Sequence, residues 1–196
     1  MKKIFLCFAV IFALSGCDVV KQIGGAYNLS QCEYNYNSIS NLQIAGINLG
    51  NGGSIPAAKL ASIATILSGG GNFQNIPLSF SLNMDVKNPN PNAAFLNALD
   101  YSVIINDLEF TQGKMDIPIR IEPGQSQIVP LNMTIDLKNL MDRYSQPKVA
   151  STINAFLGIT PSPTTVKVNI WPKVMVGNTP IKSPAAIPII FNFGGK

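Results

Sequence analysis

The chain has 196 residues, of which 46% are apolar and 12% charged, and its formal net charge is +4. A chain of this length can bury about 70% of the surface that it exposes when unfolded, and the composition excludes a disordered, highly solvated protectant. Histidine, the commonest general base and metal ligand, is absent, which excludes nucleophile pairs of serine or cysteine with histidine.

We therefore expect no catalytic residue, no cofactor and no metal site. Basic residues occur singly after residue 3, as on a solvated protein surface, so we expect no nucleic-acid partner.

The first 17 residues have the features of a bacterial lipoprotein signal. Residues 1–3 form a charged start, residues 4–14 are apolar but too few to span a bilayer, and residues 14–17 read LSGC, which resembles a lipobox. We predict that residues 1–16 are a lipoprotein signal peptide and that Cys17 is acylated. The alternative is an ordinary cleaved signal followed by a fortuitous cysteine. The lipoprotein would be anchored through Cys17 to a membrane of the bacterial cell envelope, facing the periplasm.

The other two cysteines follow from this interpretation. Cys7 is lost with the signal, which leaves Cys32 without a cysteine to pair with. We expect Cys32 to be a buried or tolerated thiol, because no histidine is present to activate it as a nucleophile. Residues 17–33 show no sustained period, so they are predicted to be the lipidated cysteine and a flexible tether that lets the domain stand off the bilayer. Residues 34–196 are predicted to form one domain.

The domain begins with alternating apolar residues. Residues 34–49 predict one or two strands, with parity breaks near Ser38 and at Gly46. Residues 54–68 carry apolar side chains on one helical face, which predicts a short amphipathic helix with Ser54 as its N-cap. We expect this helix to dock on the domain rather than to touch lipid or another protein, because it carries a single charge.

The most regular alternation lies in residues 78–86, where apolar and polar side chains alternate as in a strand with one buried face. The strand is expected to end at residues 88–92, which read NPNPN, because proline removes a ladder donor and biases the preceding residue away from the helical region. Residues 99–105 resume the alternation. Its parity slips across Asn106 and Asp107, which predicts a tight turn into another strand.

The spacing of polar and aromatic residues in this stretch resembles that of the WHy domain, the second class of late embryogenesis abundant proteins. The resemblance is carried by these residues, which act as a structural motif in the family: Asn88, Pro89, Asn90, Tyr101, Asn106 and Gly113. It implies an antiparallel β-sandwich of the immunoglobulin or fibronectin III type, and a role in stress tolerance. Asp107 stands where glycine is usual in the family, which leaves the turn type open. Because the motif is a fold signature, it supplies no catalytic residue.

The C-terminal half predicts further strands and a helical insertion. Residues 117–121 and 129–137 alternate and are predicted to be an antiparallel pair. Residues 138–157 predict two short helices that separate near Pro147, with Gly158 as the cap. Four prolines in the last block argue for edge strands and bends rather than central strands: Pro172, Pro180, Pro184 and Pro188. The predicted fold is a mainly β, antiparallel sandwich of roughly seven to nine strands with two short helical insertions.

The carboxylates suggest no obvious site. Three of them fall on the wet faces of alternating strands, where solvation explains them: Asp85, Asp100 and Asp136. Asp107 with Glu109, and Asp116 with Glu122, would form paired-carboxylate sites only if the fold joined the members of each pair.

We thus expect a non-enzymatic envelope lipoprotein that shields partly unfolded clients or the membrane under stress. The alternative is an adaptor module that binds another envelope protein through an edge strand or through the helical insertions.

Overall fold

The structure is a computed structural model that describes residues 18–51, 55–69 and 73–193. The predicted signal peptide, Cys17 and Ser54 lie outside these ranges. The described residues form the following strands: β1 Glu33–Ile44, β2 Ile47–Gly50, β3 Pro77–Lys87, β4 Ala94–Leu96, β5 Ala98–Ile105, β6 Leu108–Met115, β7 Ile119–Ile121, β8 Ser126–Asp136, β9 Thr164–Val176, β10 Thr179–Lys182 and β11 Ile187–Phe193. The helices are α1 at residues 18–30, α2 Ala57–Leu67, α3 Leu137–Tyr144 and α4 Gln146–Phe156.

The fold is mainly β and antiparallel, as predicted, with a half-barrel curl. One four-stranded sheet has the order β2-β1-β3-β8. A five-stranded sheet has the order β10-β9-β5-β6, with β11 also pairing with β9, and β4 and β7 form a small third sheet. Tyr36 of β1 and Phe193 of β11 have ring centroids 4.5 Å apart, so the edges of the two main sheets approach each other there.

The core contains the apolar face of β3, as the alternation predicted. Leu78, Leu82 and Met84 are at most 1% exposed, and Leu82 pairs directly with Leu131 of β8. The parity break predicted near Ser38 is present, since the register of β1 with β3 shifts between Tyr36 and Ser38. The break predicted at Gly46 is the turn from β1 to β2, where Ala45 and Gly46 have positive φ; the second register shift of β1 lies between Ser40 and Gln43.

The predicted tight turn joins β5 to β6. Ile105 pairs with Leu108, and the two residues between them, Asn106 and Asp107, have φ values of 46° and 67°. Positive φ at both central residues is the mirror-image turn that suits the twist of a hairpin, and asparagine and aspartate tolerate it better than most residues. The turn therefore forms without the glycine usual in the family.

The two predicted helical segments are present and docked. α2 buries Ile63, Ile66 and Leu67, which confirms docking, although its N-cap residue is Pro56 rather than Ser54. The second segment divides at Ser145, whose φ of 79° ends α3 before α4 begins.

The predicted pairing of residues 117–121 with 129–137 is wrong. β8 pairs with β3 along its whole length, from Ser126 to Asp136, and β7 pairs instead with the short strand β4. Ile117 is 63% exposed and precedes the strand. β3 and β8 have 11 residues each, whereas β7 has three, so a local hairpin with β7 would leave most of β8 without cross-strand side-chain pairs.

Pro172 also contradicts its prediction, because it lies in the central strand β9, which pairs with β5 on one side and with β10 and β11 on the other. The carbonyl of Pro172 accepts a hydrogen bond from the Ser183 N–H at 2.8 Å. A strand residue directs its N–H and C=O to the same side. The missing donor of Pro172 therefore faces the junction where β10 ends and β11 has not yet begun.

Residues 18–30 are a helix and not a flexible tether. Leu29 of α1 is 3% exposed, and a Cβ added to Gly25 would lie 2.5 Å from a ring atom of Phe95. These contacts explain the error, because a helix this short is stabilised by tertiary packing rather than by the propensities visible in its sequence. No helix in the described part of the chain is long and apolar enough to cross a membrane.

Candidate functional site

The motif asparagine at the end of β3 is a buried hydrogen-bonding centre. Asn88 is 0% exposed, and its Nδ2 atom donates to the carbonyls of Asn92 and Ile121, each at 2.9 Å. Its Oδ1 atom accepts from the backbone N–H of Asn90 at 3.0 Å and from the Asn90 side chain at 2.8 Å. The side chain thus satisfies its hydrogen-bonding capacity inside the fold, while Pro89 between the two asparagines is exposed.

The same motif holds the end of α1. The Asn90 side chain donates to the carbonyl of Asn28 at 2.9 Å, and the Asn28 side chain donates to the carbonyl of Ala93 at 3.0 Å. α1 is therefore joined to the loop after β3 in both directions.

Tyr101 and Gly113 form a second motif contact. They are cross-strand partners in β5 and β6, and a Cβ on Gly113 would lie 2.3 Å from Cζ of Tyr101. Only glycine leaves room for this ring. The Tyr101 hydroxyl reaches the other main sheet and donates a hydrogen bond of 2.8 Å to the carbonyl of Asn132 on β8.

Asn106 makes a third, separate contact. Its Oδ1 atom accepts from the N–H of Thr165 at 2.8 Å, and its own N–H donates to the Thr165 carbonyl at 3.0 Å. The structure thus brings Asn88 together with Asn90, and Tyr101 together with Gly113, but these motif residues do not converge on a common cleft.

A large apolar concavity lies elsewhere, between α1 and the C-terminal strands. It is an open groove of about 520 Å³. One wall is the stripe Val19, Ile23 and Tyr27 on α1, and the other includes Val174, Val176 and Ile181 of β9 and β10. We call this feature the α1 groove.

The α1 groove exposes large apolar side chains to solvent. The exposed fraction is 55% for Ile23, 65% for Tyr27 and 52% for Ile181, and Val20 beside them is 69% exposed. Among the described residues, none of the exposed large apolar side chains belongs to α2, α3 or α4. Sequence reasoning missed the groove because it assigned one wall to a tether, although Val19, Ile23 and Tyr27 do repeat at helical spacing.

An ion cluster lies beside the groove. The carboxylate of Asp100 is 2.5 Å from the ammonium of Lys173 and 3.4 Å from that of Lys182. The Lys182 ammonium also lies 4.4 Å from the ring centroid of Trp171. Burial opposes the charged form of Asp100, but Lys173 and Lys182 outweigh it and hold the pKa below its usual value. Solvation does not explain Asp100, since its side chain is only 19% exposed.

Asp136, Glu109 and Glu122 also have structural partners. Asp136 is also not simply solvated, because it is the N-cap of α3 and accepts from the N–H groups of Lys138 and Ile76, each at 2.9 Å. Glu109 contacts Gln112 at 2.5 Å and Glu122 contacts Arg120 at 2.6 Å; the structure shows neither carboxylate in contact with Asp107 or Asp116. Within the described ranges, no group of three or more histidine, cysteine or acidic residues could hold a metal ion.

Cys32 lies near the end of α1, and its thiol contacts the carbonyl of Asn28 at 3.4 Å. Burial, with a smaller effect of the Glu33 carboxylate, raises the pKa of the Cys32 thiol to about 11. Such a thiol is almost entirely protonated at neutral pH, which is the opposite of an activated nucleophile.

A family model described as late embryogenesis abundant protein matches residues 83–184. The chain belongs to this family. The family is the WHy-like class 2 of late embryogenesis abundant proteins, as the motif resemblance indicated. No curated protein is significantly similar to the chain.

Three solved structures that are similar to parts of this chain are distant from it in sequence. A protein from Archaeoglobus fulgidus has 13% identity and a TM-score of 0.34, covering 65% of this chain and 91% of that one. A protein from Arabidopsis thaliana has 10% identity and a TM-score of 0.38, covering 62% and 72% of the two chains. A putative beta-galactosidase from Bacteroides fragilis has 8% identity and a TM-score of 0.32, and 64% of this chain matches only 15% of that one.

The family match includes one wall of the α1 groove and excludes the other. The matched residues 83–184 include the motif residues and the wall formed by β9 and β10. α1 lies outside them. The groove thus joins a wall within the family domain to a helix that precedes it.

Proposed function

We propose that this protein is a non-enzymatic lipoprotein of the bacterial cell envelope that contributes to stress tolerance through a folded WHy-like domain. In this proposal it shields the membrane to which Cys17 attaches it, or partly unfolded clients at that membrane. The observation that carries the proposal is the exposed apolar α1 groove, which begins two residues after the predicted lipidation site.

Three further observations support it. LSGC at residues 14–17 follows a short apolar segment, family membership suggests the stress-related role, and the motif side chains are engaged in structural contacts. The apolar surface also fits a protein that acts by contact, because exposed apolar patches mark interaction sites.

We also propose that the two main sheets form a sandwich of the immunoglobulin or fibronectin III type. The Tyr36 and Phe193 contact between β1 and β11 and the hydrogen bond from Tyr101 on β5 to Asn132 on β8 both join the two sheets, as expected for sheets that face each other.

Metabolic labelling with a fatty acid tests the anchor. The wild type and Cys32→Ala should be labelled equally, and Cys17→Ala should not be labelled. Label retained by Cys17→Ala would contradict lipidation at this residue.

Survival of a deletion strain after drying tests the protective role. Complementation by wild type should restore survival, whereas the double variant Ile23→Ser, Ile181→Ser should leave it near the deletion level. Ile128→Ser is the matched control, because Ile128 is 54% exposed on β8 and does not line the groove. Full rescue by the groove variant would contradict protection through this surface.

An adaptor role is the second proposal, and a small depression between α2 and α3 favours it. The depression is about 260 Å³ in volume and is lined by Ile66, Phe73 and Met141 among others, with Phe73 40% exposed. Native pull-down should then recover one stoichiometric envelope partner with the wild type and lose it with Phe73→Ser. Equal recovery by both proteins would contradict an adaptor site at this depression.

A further inference from the structure

We propose that the α1 groove is the face by which the protein lies on the lipid bilayer, so that the anchored domain has one fixed orientation. The occupant of the groove is the lipid surface itself, including acyl chains between α1 and β10. This inference rests on the proposed lipidation of Cys17, and it replaces the expectation that the domain stands off the bilayer.

The first step is covalent geometry. Residues 18–30 are helical, so no flexible segment separates Cys17 from α1. Two residues of chain span at most about 7 Å. The lipid-bearing residue is therefore within about that distance of Val19, which lines the groove.

The second step is that α1 cannot swing away without losing specific contacts. The side chain of Gln22 accepts from the N–H of Met175 at 2.7 Å and donates to its carbonyl at 3.3 Å, as an added strand would. Gly25 packs against Phe95, and Asn28 is bonded to the loop after β3. α1 thus transmits the position of the anchor to the whole domain.

The third step is the chemistry of the opposite stripe of α1. Gln22, Gly25 and Leu29 face the domain, which leaves the apolar Val20, Ile23 and Tyr27 exposed. Tyrosine is enriched where membrane proteins meet the lipid headgroups, and the exposed valine and isoleucine side chains can be buried among acyl chains. Ile181 and Val176, which is 44% exposed, extend this apolar surface onto β10 and the end of β9.

The fourth step is charge. The only charged residues of α1 are Asp18 and Lys21. Lys182 also lines the groove, but it forms an ion pair with the Asp100 carboxylate. We therefore expect apolar insertion rather than attraction to anionic lipid to dominate. Docking should depend little on salt and should occur on zwitterionic phosphatidylcholine.

The anchor also selects the occupant. The acyl chains on Cys17 hold the bilayer next to the groove. The effective concentration of lipid at the groove is therefore high, as for a binding partner that is covalently tethered. A soluble client or a second copy must compete from solution.

Depth-dependent fluorescence quenching tests the orientation. The mature lipidated chain, carrying Cys32→Ser, is reconstituted in phosphatidylcholine vesicles whose acyl chains are brominated. An environment-sensitive dye is attached to Ile181→Cys in one protein and to Ala61→Cys in the other. Ala61 is exposed on α2, and the 12-residue strand β1 separates α2 from the end of the domain that carries α1.

We expect quenching by brominated lipid to be several times stronger at position 181 than at position 61. Ile23→Ser with Tyr27→Ser should reduce the quenching at position 181 while the protein still sediments with the vesicles through its lipid. Since both side chains are more than half exposed, these changes should leave the folded domain intact.

Equal quenching at the two positions, or none at position 181, would overturn the docking proposal. Energy transfer between labelled copies, without quenching, would show that a second copy occupies the groove and would also overturn the docking proposal. So would protection of the dye at position 181 that appears only when unfolded protein is added. If docking fails but fatty-acid label remains on Cys17, the proposed lipoprotein function stands; if Cys17 carries no lipid, the proposed anchor itself fails.

Discussion

The side chain of Asn88 donates a hydrogen bond of 2.9 Å to the carbonyl of Ile121, 33 positions further along the chain. This contact ties the end of β3 to the end of β7 in the interior of the protein. Asn88→Ala would leave that carbonyl, the carbonyl of Asn92 and the N–H of Asn90 without their partner.

Since unsatisfied buried polar groups cost more than a hydrogen bond contributes, we expect the free energy of unfolding to fall by about 3 kcal/mol in Asn88→Ala. Asn37→Ala, at an exposed position on β1, should change it by no more than about 0.5 kcal/mol. Urea titration measures both, and losses of similar size would show that Asn88 is not a structural centre.

Two adjacent glycines test whether α1 is docked in solution. A Cβ at Gly25 would collide with the Phe95 ring, whereas a Cβ at Gly24 would meet nothing within 4 Å. Gly24→Ala should stabilise the helix by up to about 1 kcal/mol, and Gly25→Ala should destabilise it and speed amide hydrogen exchange in residues 18–30. A flexible tether would instead respond to both substitutions alike.

The Asp100 cluster predicts a loss of stability in acid. Its pKa in the folded protein lies below the ordinary value of 3.8, so the stabilisation from ionised Asp100 is fully present above that value. It disappears as the pH falls through the lower folded-state pKa. Denaturant titrations from pH 7 down to pH 2 should show this loss.

In Asp100→Asn the pH dependence should be smaller, and stability at pH 7 should already be lower by about 3 kcal/mol, because Lys173 is left buried without its counter-ion. Lys173 has an 11% exposed side chain. Asp85→Asn provides the comparison, since no ion pair of Asp85 occurs among the described residues. An unchanged acid profile in Asp100→Asn would rule out this cluster as its origin.

The Cys32 thiol should react slowly in the native protein. With its pKa raised to about 11, it has little thiolate at pH 8. The higher intrinsic reactivity of such a thiolate offsets part of this loss, so we expect alkylation by iodoacetamide to be about 10-fold slower than in the urea-unfolded chain. An added cysteine at Ala61, exposed on α2, should react rapidly in both states. Fast native alkylation of Cys32 would mean that it is accessible and ionised.

The sequence by itself determined the elements whose pattern is local. The alternation of residues 78–86 predicted β3 and its buried face, the helical insertions were visible from their periodicity, and the change of parity at Asn106 located a hairpin. The motif from Asn88 to Gly113 identified the family, because turn residues and close-packed pairs are required at set positions along the chain.

Only the tertiary structure decided the features that depend on distant partners. α1 is stabilised as a helix because Gln22 bonds to the backbone of Met175 and Gly25 packs against Phe95. Neither contact can be predicted from residues 18–30 alone. Pro172 is acceptable in a central strand because the missing donor meets a gap between β10 and β11. Asp100 lies on the wet face that its parity predicts, but Lys173 and Lys182 cover it there. A local pattern specifies the face of the strand or helix on which a side chain lies. The segment that packs against that face is determined by strand pairing across the whole fold.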